Sequence, residues 1–432
     1  KRADSLAFPD TSKNLARRYA ADTHVYFGAV AVMQQPVPLL RRSTFQGYLG
    51  CLASFWLPGG MITVFLPWLM VGELEATPQQ LGLAQMALQL PVLLLVVPFG
   101  LLADRGDPRI LLSRVHLLAP LPLLALALIL AVDMANVAAV VAFALACGTF
   151  AALAMPARDL LLSPVAEDSL QRAVGLSLGL QFIVQLAGHG AAASADRIGP
   201  IPILLVAALA MAGGWFAVQR LPDSGRARVA PSSGGAFEGI QLALGSAMLR
   251  GPMLLAAVAG VFHGGSLMVL LPLLIRAEHG GGSAWFGAAY ACFMAGTLIG
   301  ILLLQVFSPA ARPGRVLFAS LGLGSLVLAL LPLAAPNAYL LPLVVAWGLC
   351  GGIGMVMSRS IMQQNAPVNH RGRILGVYSL ASFGGLPIGS LLLGYLAAWL
   401  GSGAAAQWCA CLVLLVTAVV ALRTRLLSAR SA

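Results

Sequence analysis

The sequence predicts an all-α integral membrane protein with twelve transmembrane helices in two pseudo-symmetric six-helix bundles. Three observations carry this. Apolar residues make up 59% of the chain and charged residues 9%, with a mean hydropathy of +0.89, far from the balance of soluble domains. Twelve apolar stretches recur, each near the roughly 20 residues a helix needs to cross a hydrocarbon core of about 30 Å. The second half of the chain repeats features of the first. The ten-residue alternating segments of a membrane β-barrel are absent.

The elements follow in order. Residues 1–40 form an N-terminal cytoplasmic segment. Both lysines, Lys1 and Lys13, precede Met33, a composition shift that marks residues 1–32 as an extension, with "MQQPVPLLRRSTFQGYL" a natural start. Helix 1, near 48–72, reads "SFWLPGGMITVF" with no carboxylate at its middle. Helix 2 covers 80–103, helix 3 covers 109–132 with Pro120 and Pro122 as bend points, and helix 4 covers 137–157. Helices 5 and 6, near 173–195 and 199–219, complete a bundle over 41–220. The Pro-, Gly- and Ser-rich "RLPDSGRARVAPSSGG" then opens a linker over 221–250. Phe237, Ile240, Leu244 and Met248 recur there at helical spacing, as in a helix lying along a membrane surface. Stretches near 252–275, 284–307, 314–334, 338–358, 374–398 and 403–422 form the second bundle, over 251–425, and 426–432 is a tail.

Charge orients these elements. The net charge of +11 is spread through short connections rather than gathered in a patch, so it points to the bilayer and not to nucleic acid. Of the 21 arginines from Arg41 onward, all but Arg197 and Arg276 fall on the side that holds the chain's start. By the positive-inside rule that side is cytoplasmic and both termini lie there. The six cysteines lie within apolar runs without metal-ligand spacing, so no metal or cofactor is expected. There is also no phosphate-binding loop and no catalytic cluster of the usual hydrolase types.

Shifting the sequence by 201 residues superposes Arg158 on Arg359, Arg172 on Arg373, Gly175 on Gly376 and Gly188 on Gly389. With Asp159 and Gly372, these mark repeat-related loops after helices 4 and 10. Duplicated halves related by an axis along the membrane normal recur in transporters. Gly175/Gly179, Gly296/Gly300, Gly348/Gly352 and Gly385/Gly389 form Gly-x-x-x-Gly pairs, which allow close helix packing and, as a set, a bundle able to rock.

"GLLADRGDPR", with Gly100, Asp104, Arg105 and Arg109, resembles the signature between helices 2 and 3 of the major facilitator superfamily. "PAARPGRVLF", "MPARDLLLSPVAEDSLQRAVGL" and the segment Gln363 to Gly376 resemble its enterobactin-exporter and macrolide-efflux branch. The resemblance runs from Arg41 to Arg425. It implies a secondary-active exporter of a small amphipathic molecule, siderophore- or drug-like, in a bacterial inner membrane, coupled to protons and monomeric. It also implies that Gly100 and Asp104 meet helix 11 when the cytoplasmic side shuts, and that helices 1, 4, 7 and 10 line the substrate path. An uptake carrier of the same fold and a non-transporting scaffold are the alternatives.

The candidate cavity and coupling residues follow. Gln181, Gln185 and His189 share one face of helix 5, and Gln85 and Gln89 one face of helix 2; polar faces of this kind are costly against lipid. Interhelical hydrogen bonding accounts for the glutamines. His189 stands where efflux relatives carry Gly-Pro after Gly188, and is the candidate proton carrier because histidine titrates near neutral pH. His263 is a further candidate, as is His116. Phe55, Trp56 and Trp347 are the aromatics offered to an apolar, adaptable cavity.

Overall fold

The computed structural model describes residues 39–166, 169–222, 241–242, 244–279, 282–306, 312–334, 337–367 and 370–424. The proposed extension over 1–32, Met33, Phe237, Ile240 and the tail over 426–432 lie outside the described residues, as do the side chains of Asp104 and Arg373 and the surroundings of Gly372. Twelve helices long and apolar enough to span a bilayer are present, and no strand is formed among the described residues. In the first half, α1 is Ser43–Glu73, α2 Pro78–Arg105, α3 Pro108–Ala131, α4 Val137–Ala166, α5 Leu170–Ala192 and α6 Pro200–Val218. In the second, α7 is Met248–Ala277, α8 Ser283–Val306, α9 Pro313–Leu333, α10 Leu340–Asn365, α11 Arg371–Leu400 and α12 Ser402–Arg423. Odd-numbered helices leave the end that carries most arginines, here called the basic end, and even-numbered helices return to it.

Local chemistry explains the boundaries. Thr77 and Gln80 form a capping box at the start of α2, with the Thr77 N–H donating to Gln80 Oε1 at 2.9 Å. Asp107 caps α3 by accepting the Arg109 N–H at 2.8 Å, which accounts for one of the charges crowded into "GLLADRGDPR". Pro120 has no N–H to continue the ladder, so α3 is a stack of Pro108–Leu118 and Pro120–Ala131. π-turns, which no sequence pattern announces, widen α1 at Leu69–Glu73 and α7 at Gly260–Gly264 and Ser266–Leu270. Exposed apolar side chains such as Leu209, Trp399 and Leu422 face outward, as lipid requires.

Packing repeats at an interval of six helices. α1 packs on α5 and α6, and α7 on α11 and α12; α2 meets α4, and α8 meets α10; α3 meets α6, and α9 meets α12. Lipid gives helices no hydrophobic reason to associate, so small residues at the seams let backbones approach. Gly148 abuts the Leu88 carbonyl of α2, and Gly348 abuts the Phe293 carbonyl of α8. Gly296, Gly300 and Gly352 complete the α8–α10 seam, and Gly385 and Gly389 press on Val261 of α7. The halves touch along α2–α11 and α5–α8.

Candidate functional site

The two halves part toward the basic end. On α2, Gly82 presses on the Ser390 carbonyl and on Gly394 of α11. Eighteen residues later, five turns along the same stripe, Gly100 meets only Pro156 of α4, at 4.0 Å. On α11, Gly376 lies five turns from Gly394 on its own stripe, and a Cβ there would meet nothing within 4 Å. The α5–α8 seam behaves alike: Gly287 packs on His189 and Ala193, while Gly175 and Gly179, on the α8-facing side of α5, meet nothing within 4 Å. The sequence reading of Gly175 and Gly179 as a packing pair does not hold in this state, because no atom of α8 or of another helix comes within 4 Å of a Cβ there.

The far end is shut. The Asp196 carboxylate, between α5 and α6, accepts Trp68 Nε1–H at 2.7 Å and the Ser283 N–H at 2.5 Å, while Ser283 Oγ accepts the Asp196 N–H at 3.0 Å. One apolar core there joins Trp68, Leu81 and Ala192 to Ile275, Phe286 and Leu393 of the other half. Toward the basic end the cores are separate, around Leu112 and Ala157 in one half and around Met362 and Ile374 in the other.

On the first wall the structure corrects a sequence expectation. Arg158 and Asp159 are not in a loop: α4 continues two turns beyond them to Ala166. Arg359 likewise lies inside α10. A hydropathy window ends at the first charges, whereas the helix continues through them, as the apolar "LLLSPVA" after Asp159 could have signalled. Arg158 is no surface anchor either. It is 6% exposed, with its guanidinium carbon 4.3 Å from the centre of the Phe55 ring and 5.3 Å from that of Trp56, both on α1. Its Nη1 is buried without a hydrogen-bond partner. Asp159, 100° further round the helix, is exposed.

The second wall holds a cavity of about 180 Å³ framed by α7, α9 and α10, with Met355, Ser358, Ser382 and Gly351 among its lining. Trp347 Nε1–H donates to His263 Nδ1 at 2.8 Å, which leaves His263 Nε2–H to donate to Ser325 Oγ at 3.1 Å. His116 makes a counterpart pair in the first half. Its Nδ1–H donates to the Leu112 carbonyl at 2.9 Å, and its Nε2 lies 3.1 Å from Oγ of Ser54, whose hydroxyl also reaches the Cys51 carbonyl at 2.8 Å. Both pairs span 62 residues, with histidine and serine exchanged between the halves.

The remaining candidates lie along the seams. Gln89 Nε2–H donates to Ser390 Oγ of α11 at 3.4 Å, while the amide of Gln85 is buried without a partner. His189 is buried, packs on Tyr290 of α8 with ring centres 5.9 Å apart, and has no partner on either nitrogen. Gln181 and Gln185 are half-buried on the same helix. Arg109 Nη2–H donates to the Gln219 carbonyl at 2.9 Å, tying α3 to α6, whereas Arg105 and Arg172 are exposed. No group of three or more His, Cys, Asp or Glu able to hold a metal occurs among the described residues.

Two six-helix halves round a cleft that is shut at one end and open at the other form the major facilitator fold, and the family model that matches the chain makes it a membrane transporter rather than an enzyme. The chain belongs to the transmembrane secretion effector family, whose model matches residues 48–432. No curated relative matches it in sequence. Among solved structures it is similar to a single-site mutant of the nucleoside transporter NupG, at a TM-score of 0.74 and 11% identity, covering 88% of this chain and 99% of that one. It is also similar to a bacterial homolog of the human lysosomal transporter Spinster, solved inward-facing and unoccupied, at 0.71 and 12%, covering 92% and 99%. At such identities the likeness speaks for the fold alone.

Proposed function

We propose that this protein is a proton-coupled exporter of small amphipathic organic molecules, siderophore- or drug-like, working as a monomer by alternating access in a bacterial inner membrane. The observation that carries the reading is the cleft open at the arginine-rich end. The positive-inside rule supports a cytoplasmic side for that end, from which the cleft can take up its cargo. The family's description as secretion effectors supports outward transport. Closing the basic end brings Gly100 toward Gly376, as Gly82 and Gly394 already meet at the far end, and Asp104 then reaches the start of α11 near Gly372 and Arg373. His189 carries the proton: it lies between the halves where rocking changes its surroundings, and Tyr290 is the titratable side chain packed against it.

Everted membrane vesicles from expressing cells, energised with lactate and offered a panel of labelled siderophores and macrolides, test this. Accumulation abolished by a protonophore is expected. Accumulation only in right-side-out vesicles would make the protein an uptake carrier, and binding without flux in either orientation would make it a scaffold.

A further inference from the structure

Arg158 is, among the described residues, a buried cation with which the transport mechanism above does nothing. Its charge lies within the spanning part of α4, where burial without an ion-pair partner is strongly unfavourable; the carboxylate whose field it feels is that of Asp159, next in sequence, which is exposed and forms no ion pair with it. Phe55 and Trp56 offset part of this through their ring faces, but rings take up none of the guanidinium's five N–H donors. An arginine that merely holds helices together commits those donors to carbonyls, as Arg109 does to Gln219. Arg158 has no such bond, and no ion pair holds it among the described residues.

The guanidinium lies at the α1 edge of the cleft-facing side of α4. Pro156, 200° from Arg158 round α4, is the nearest neighbour of Gly100 on α2; Ala157 and Leu161 join the core with Leu112 of α3; Arg158 itself faces α1. The side between α1 and α2 is therefore turned away from the rest of its half, and Met155 and Asp159 on that side are exposed. On α1, Trp56 is half-buried, and a Cβ at Gly59, a turn further on, would meet nothing within 4 Å except Trp56 itself at 3.7 Å. Across the cleft, the residue equivalent to Arg158 is Ser358, 200 residues on, as Gly348 is to Gly148. Ser358 and Met355 line the apolar cavity of the second half, which thus opens at the depth of the guanidinium.

From this geometry we infer that Arg158 is the counter-ion of the transported molecule, and that the substrate is an amphipathic monoanion. Its single compact oxyanion, a carboxylate or sulfonate, takes the unpartnered donors of the guanidinium, and its apolar body enters the cavity beside Met355 and Ser358. The planar fork of arginine matches such a group bidentately. The inference rests on the transporter reading for the word substrate, but the site itself is defined by binding.

The test uses the full-length protein in dodecyl maltoside, with 1-naphthaleneacetate and 1-naphthaleneacetamide as probes of one shape and different charge. Affinity is read from the ligand-dependent rise in unfolding temperature. The acid is expected to bind at least tenfold more tightly than the amide, Arg158→Gln to abolish the preference, and Arg158→Lys to keep part of it. Equal binding of acid and amide to the native protein, binding of neither, or an undiminished preference in Arg158→Gln would overturn the assignment. Should Arg158→Gln not fold, the native comparison and Arg158→Lys decide alone, with an undiminished preference in Arg158→Lys as the contrary result. Flux in proteoliposomes separates the two readings. Acid preference without flux sinks the transporter reading and keeps the site, whereas protonophore-sensitive flux of a neutral amphipath with no acid preference does the reverse.

Discussion

Asp159 and Arg359 occupy equivalent positions in the two halves, 200 residues apart on α4 and α10, and carry opposite charges. Each is exposed, each is followed around its helix by the same order of buried and open positions, and each stands eleven residues past an equivalent glycine, Gly148 or Gly348. A shift of 201 instead relates Gly188 to Gly389, so the register changes by one residue between α4–α5 and α10–α11. The uniform shift of 201 therefore superposed Arg158 on Arg359, whereas the structural counterpart of Arg359 is Asp159.

Because Asp159 and Arg359 sit on the cleft side of their helices, closure of the basic end should bring the two charges together. Asp159→Arg sets like charges against each other and should shift the population toward the form open at the basic end. An exposed pair is worth up to about 1 kcal/mol, or roughly fivefold in population. The double variant Asp159→Arg/Arg359→Asp should restore the native balance. Spin-label distances between the basic ends of α4 and α10 measure both. Asp104→Asn should lower transport in vesicles while leaving membrane insertion unchanged.

Asp196 locks the opposite end by accepting from both Trp68 and Ser283. Asp196→Ala removes two hydrogen bonds to a charged acceptor, each worth about 1.5–3 kcal/mol. The far end should then open more often, with Ala192→Cys, on a background whose six native cysteines are replaced, labelled faster by a polar maleimide. An unchanged labelling rate would show that the apolar core alone keeps that end shut.

Two glycine substitutions should behave in opposite ways. Gly348→Ala drives a methyl into the Phe293 carbonyl and should cost about 1–3 kcal/mol, seen as a lower melting temperature. Gly175→Ala enters open space and gains helix propensity of up to about 1 kcal/mol, so melting should hold or rise. If α8 returns to that stripe during the cycle, Gly175→Ala will nonetheless slow transport.

His189→Gln should preserve gradient-independent exchange of substrate across proteoliposomes while abolishing its acceleration by an imposed pH gradient. Full gradient dependence in the variant would remove His189 from the coupling path.

The twelve spans were legible because a bilayer demands apolarity over a fixed length, and that is a one-dimensional property. The duplication was legible for a similar reason, through Gly188 and Gly389. Arg158 was not, since in a linear reading a charge at the edge of an apolar run looks like an anchor, and only the α1–α4 contact reveals the rings of Phe55 and Trp56 beneath it. The Ser54–His116 and His263–Ser325 pairs depend on the rotation of one helix against another, which no spacing within a helix encodes. His189 and Gln85 are polar residues that a linear reading singles out as needing shelter from lipid, but their lack of partners, where interhelical hydrogen bonds were expected for the glutamines, is a three-dimensional fact.

The glycine stripes of α2 and α11 turn these helices into levers. Gly82 and Gly394 act as a fulcrum, and Gly100 lies roughly 27 Å along the arm, at about 1.5 Å rise per residue. A tilt of roughly 20° at the fulcrum sweeps the tip through about 9 Å, enough to admit or expel a molecule the width of a fused ring system. While this joint holds, the far tips stay together however wide the basic tips spread, so the state open at the basic end carries no continuous leak through the membrane.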